Sequence, residues 1–113
     1  MSIITKVKST ETFLASLDPL ALNTKRNYLK SVVRFQKFCE EYQNNMTPEE
    51  FCRELLIIKK QDEDKYIDTL YEILQDFISE SHKTLCGNSI KTIFSCLRGY
   101  LYHLGVRTNP QDI

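Results

Sequence analysis

An all-α domain of four main helices plus a short N-terminal one is what this sequence predicts, and three observations predict it. Apolar residues recur at spacings of three and four along most of the chain, the period of a helix with one buried face. No segment reads as a strand. Only three glycines and three prolines occur in 113 residues, too little turn material for many short strands. The length fits one domain, residues 1–113, with a modest core.

Ser9 or Thr10 caps a short helix over Glu11 to Leu17, which turns Phe13, Leu14 and Leu17 inward and ends at Asp18-Pro19. A linker-like LALN follows. The second helix starts at Asn23 or Thr24 and runs to Tyr42, with Tyr28, Val32, Phe35, Cys39 and Tyr42 on one stripe, widened by Leu29 and Phe38. Asn44-Asn45 stops it. The third helix opens on Thr47-Pro48-Glu49-Glu50: threonine caps, proline takes the first position, and Glu50 closes a capping box. It carries Phe51, Leu55 and Ile58. KKQDEDK, 59–65, reads as a polar break.

The fourth helix covers Glu63 to Glu80, with Tyr66, Ile67, Leu70, Ile73, Leu74 and Phe77 as its apolar stripe and an acidic opposite face. Asn88 or Ser89 caps the fifth, which buries Ile90, Ile93, Phe94, Leu97, Leu101 and Leu104 and ends at Gly105. An Asn-Pro keeps the tail VRTNPQDI extended.

The longest apolar run, Leu55 to Ile58, is far too short to span a membrane, and MSIITKVKST lacks the apolar core of a secretory signal. Cys39, Cys52, Cys86 and Cys96 show no metal-ligand spacing, and His82 and His103 sit in no zinc pattern. Cys39 and Cys96 fall on apolar helix faces. Buried, reduced thiols in a cytosolic protein are expected, and no cofactor.

Fifteen basic and fifteen acidic residues cancel, yet they are not mixed. Residues 1–39 hold seven basic and two acidic groups, 40–80 four and twelve, and 81–113 four and one. If the first and last segments meet, one side of the molecule is positive and the other negative. On the second helix, Arg26, Lys30, Arg34 and Lys37 form one row opposite the apolar stripe. Like charges at that spacing repel by a few tenths of a kcal/mol per pair. A polyanion is the simplest reason for such a row. On the fifth helix, Lys91, Ser95, Arg98 and Tyr102 share an edge, a mixture suited to phosphate and base-edge contacts. Both helices open on small polar residues, Asn23-Thr24-Lys25 and Asn88-Ser89, where free N–H groups favour a phosphate.

NTKRNYLKSVVRFQKF, 23–38, and SIKTIFSCLRGYLYHLG, 89–105, followed by TNP at 108–110, resemble the N-terminal core-binding (SAM-like) domain of tyrosine recombinases, the phage-integrase and Xer-like family. The likeness covers roughly residues 5–113. It implies a helical clamp on double-stranded DNA at the crossover site, with helices facing the major groove. Carried over by position, Thr24, Lys25, Asn27 and Tyr28 match the start of one DNA-facing helix, and Lys91, Ser95 and Arg98 match the last; Tyr28 is expected in the core. The segment 59–83 departs from the pattern in being longer and more acidic.

The expected DNA contacts are therefore Thr24, Lys25, Arg26, Asn27, Lys30, Arg34, Lys37, Ser89, Lys91, Ser95, Arg98 and Tyr102. The family's chemistry needs a tyrosine nucleophile with clustered arginines and histidines, and no His-x-x-Arg occurs here. This chain is expected to catalyse nothing alone, with a catalytic domain following residue 113 in a longer protein. The resemblance implies a cytoplasmic, nucleoid-associated protein that multimerises on DNA, the domain itself being monomeric. The competing reading is a helical adaptor domain that works through its acidic helix.

Overall fold

The computed structural model describes residues 9–42 and 45–108. It has five helices, and no strand occurs among the described residues: α1 (Thr10–Ser16), α2 (Leu22–Tyr42), α3 (Pro48–Gln61), α4 (Glu63–Ser81) and α5 (Gly87–His103). The all-α fold of four main helices and a short leader is the one the periodicity predicts. No helix is long and apolar enough to cross a membrane. The N-terminal segment through Lys8, Asn44 and the Asn-Pro of the tail lie outside the described residues.

Each boundary has a local cause. Ser9 caps α1: its hydroxyl accepts the Thr12 N–H at 3.3 Å, and its own N–H donates to the Thr12 hydroxyl at 2.9 Å. α2 begins at Leu22, ahead of the expected Asn23 or Thr24, so both polar residues lie in its first turn. Beyond α2, Asn45 takes a left-handed φ of 61°, and its N–H reaches the Glu40 carbonyl at 3.1 Å. Thr47 and Glu50 form the expected capping box, with Pro48 in the first turn.

The expected break over 59–65 shrinks to one residue. Asp62, extended at φ −156°, ends α3 by donating its N–H to Ile58 O at 2.8 Å. Its carboxylate starts α4 by accepting the Lys65 N–H at 3.1 Å. The flanking Lys, Gln and Glu are good helix formers. Lys59 and Lys60 also sit in the last turn of α3, and Glu63 and Asp64 in the first turn of α4, where each charge complements the helix dipole.

α5 starts earlier than expected. Cys86 occupies its N-cap position, so Asn88 and Ser89 are inside the first turn and cap nothing. Its far end is a Schellman turn: Gly105, at φ 97°, donates to Tyr102 O at 3.0 Å, and Val106 donates to Leu101 O at 2.8 Å. The turn folds Val106, expected in an extended tail, completely into the core.

α2 packs most extensively on α5, and α3 on α4, while α1 lies against α5. Phe35 is fully buried where the two pairs meet, 5.8 Å from Phe51 and 5.5 Å from Phe77 between ring centroids. Tyr28 is half-buried against the core, as expected. Three residues assigned to apolar stripes lie outside the core: Leu29, Tyr42 and Ile67 are 48%, 49% and 40% exposed. Each stands at the margin of its stripe; Tyr42, in the last turn of α2, stacks on Phe38 and reaches Glu80 of α4 at the surface.

Candidate nucleic-acid interface

The α2–α5 pair is antiparallel. Tyr28 lies over Gly99, where an added Cβ would come within 3.3 Å of its ring. The buried Ser31 hydroxyl donates to Ile93 O at 2.9 Å, and Arg34 reaches Thr84, just before α5, through both terminal nitrogens at 3.2 and 3.0 Å. Three successive turns of α2 thus meet progressively earlier points of α5 and its leading loop.

That register segregates charge. The α2–α5 pair carries Lys25, Arg26, Lys30, Arg34, Lys37, Lys91 and Arg98 against only Glu40 and Glu41. The α3–α4 pair carries Glu49, Glu50, Glu54, Glu63, Asp64, Asp68, Glu72, Asp76 and Glu80 against Arg53, Lys59, Lys60 and Lys65. The two pairs are charged oppositely and to the same extent.

Asn27 and Lys30 line one groove with Asn88, Ser89 and Thr92 at the start of α5. Next to it, Lys30, Arg34 and Lys37 border an apolar trough formed by Leu29, Val33, Leu85 and Ile93. Arg26 is exposed one turn before Lys30, on the part of α2 that runs beside the C-terminal half of α5. Thr24 is exposed in the first turn. Lys25 instead turns back toward Asp18, with Nζ 3.9 Å from the carboxylate.

Ser95, Arg98 and Tyr102 line a separate depression with Gly99 and Thr108. Arg98 Nε donates to the Thr108 hydroxyl at 3.0 Å, and the Arg107 guanidinium lies 5.5 Å from the Tyr102 ring centroid. Lys91 is exposed on the outer face of α5. The structure therefore joins Asn27 and Lys30 to Ser89 in one groove and gathers Ser95, Arg98 and Tyr102 in another place. Arg107 and Thr92 join these surfaces without having been singled out in the sequence, and Asn88, read there only as part of a helix start, lines the groove with its neighbours. Arg107 follows the last helix, where no period marks a face.

Among the described residues, Arg26, Lys30, Arg34, Lys37, Lys91 and Arg98 form no ion pair. Glu80, which lines a groove with Arg34, Lys37 and Tyr42, is different. Glu80 bonds Lys83 at 2.9 Å and accepts the Tyr42 hydroxyl, and these two bonds, Lys83 first, hold its carboxyl below the usual range. No cluster of three or more His, Cys, Asp or Glu among the described residues is arranged to hold a metal ion. A comparison with known protein families, with curated proteins and with solved structures finds no match for this chain.

Proposed function

We propose that this chain is a duplex-DNA-binding module, the core-binding part of a longer tyrosine recombinase that acts on the nucleoid in the cytoplasm and assembles into a multimer on its site. One observation carries the reading: the two main helices whose basic groups outnumber their acidic ones are the two that pack most extensively on each other, and none of their basic groups but Lys25 is paired with a carboxylate among the described residues. Neutral grooves gain little from such an arrangement, whereas a phosphate backbone releases counterions to it. Lys30, Arg34 and Lys37 take one strand of phosphates. The Asn88–Ser89 start of α5 offers N–H groups to the same backbone. Arg98, Tyr102 and Arg107 hold the neighbouring stretch.

Fluorescence anisotropy of a labelled duplex, titrated at several salt concentrations, tests this. Binding is expected at low salt and is lost steeply as salt rises. R26A/K30A/K37A should weaken binding to every duplex alike and flatten the salt slope by about one unit per lost phosphate contact. Absence of binding at low salt, or a triple variant that binds as well as the parent, overturns the assignment. The recombinase half is tested by the encoded sequence beyond Ile113, where an Arg, a His-x-x-Arg and a Tyr are expected in that order.

The adaptor reading is favoured by a different observation, the exposed carboxylates of Asp64, Asp68, Glu72 and Asp76 along α4, which have no ion-pair partner among the described residues. Salt-sensitive association with no affinity for DNA would select it.

A further inference from the structure

We infer that copies of this chain associate through unlike helices, the cation row of α2 on one copy seating against a carboxylate row of α4 on the next. The carboxylates are Asp64, Asp68, Glu72 and Asp76, four residues apart throughout and all exposed. The cations are Arg26, Lys30, Arg34 and Lys37. At 1.5 Å per residue the rows are about 18 Å and about 17 Å long, so they match closely in length, and both place one charge per helical turn. Each row is unfavourable alone, because like charges one turn apart repel. Each is relieved by the other.

The fifth member of the acidic row shows what these carboxylates do when a partner is in reach. Glu80, one turn beyond Asp76, is bonded to Lys83 and Tyr42. The four before it have no ion-pair partner among the described residues.

Apolar groups flank both rows in the same sense. Leu29 and Val33, 48% and 45% exposed, run beside the cations. Ile67, 40% exposed, lies between Asp64 and Asp68. Aliphatic side chains contribute nothing to a phosphate contact, but they give two helices a dry centre inside a charged rim. The surfaces are different ones on each copy, so the contact is heterologous and adds copies into a ring or an open chain. This replaces the isolated monomer expected from the sequence. It stands independently of DNA binding, but it occupies the same cations, so duplex and self-association exclude each other.

Sedimentation velocity across a concentration series tests the pairing. At about 10 mM salt, where charges reach roughly 30 Å, the mean mass should rise with concentration; at about 1 M, where they reach roughly 3 Å, it should stay that of one chain. D68N/E72Q/D76N and R26Q/K30Q/K37Q should each weaken association by about tenfold or more while keeping the parent's melting curve. Mixed in equal amounts, the two variants retain one intact surface each, and should form a one-to-one dimer and nothing larger. A parent that stays monomeric at low salt, an α4 variant that associates like the parent, or a mixture that forms no dimer overturns the inference. The anisotropy titration reports separately: the α4 variant keeps the cations, so its DNA binding should equal or exceed the parent's. A parent that associates but binds no duplex sinks the DNA reading and supports this one.

Discussion

At the scale of single residues the thiols are the most sharply sorted groups in the molecule. Burial pushes Cys39 and Cys52 from 9.0 up to about 12, because no charged thiolate is solvated there. Cys86 moves the other way. The Ser89 hydroxyl, with backbone N–H groups at the start of α5, stabilises its thiolate, and the side chain is exposed. Of the thiols expected to be buried, Cys86 is exposed and Cys96 only half-buried. In the folded protein iodoacetamide should therefore modify Cys86 first, at least roughly tenfold faster than Cys39 or Cys52. Peptide mapping after brief alkylation checks this, and equal labelling of all sites would contradict the burial. The raised pair also sets an alkaline limit. Their folded values lie above the unfolded ones, so the stabilisation is whole below about pH 9 and is lost progressively toward pH 12. The melting temperature should fall across that window, and less so in C39A/C52A measured against its own neutral-pH value.

Among elements, the α2–α5 seam depends on one small residue. Gly99 leaves room for Tyr28, whose ring also meets Phe13 edge-on at 5.6 Å. Gly99→Leu would drive the branched side chain into that ring and part the helices. A loss of about 1–3 kcal/mol in urea unfolding is expected, with a matching loss of duplex affinity as Lys30 separates from the start of α5. Unchanged stability would mean that Tyr28 is free to move aside. The seam also shows what was legible in the sequence. Its cation row was, because Arg26, Lys30, Arg34 and Lys37 obey the helical period whatever packs beside them. The hydroxyls that hold Arg34 and Arg98 were not, since Thr84 and Thr108 lie outside the helices and carry no period. Thr47-Pro48-Glu49-Glu50 announced α3 because its side chains themselves make the cap. The α3–α4 boundary stayed hidden because a single extended aspartate suffices, in a run whose polarity resembles a loop. Tyr100 carried no signal either. It is fully buried with its hydroxyl bonded to the Thr10 hydroxyl, a contact set by where α1 lands.

For the whole molecule, the division into a basic pair and an acidic pair raises the question of what makes the two pairs one domain. Opposite charge at the surface is too weak and too screened to do it. The join is aromatic and dry. Phe35 and Phe38 of α2 meet Phe77 of α4 edge-on, each at 5.5 Å, and Phe35 also meets Phe51 of α3. Every contact between α2 and the acidic pair in this cluster passes through one of these two rings, and Phe35 is the more buried, with no exposed surface. Phe35→Ala should cost about 3–5 kcal/mol, a large share of the 5–15 kcal/mol typical of a domain this size. The cost falls on the junction and spares the pairs themselves. The α3–α4 pair, closed by one residue, keeps its local contacts, whereas α2 and α5 are brought together only across a long stretch of chain. Thermal unfolding followed by helical circular dichroism and by tyrosine fluorescence should coincide in the parent and separate in the variant, with α3–α4 helicity outlasting the Tyr28 and Tyr100 environment. A variant that loses stability but keeps coincident transitions would show that the pairs are held together elsewhere. In that case the charge segregation would be a property of one indivisible core instead of two joined halves.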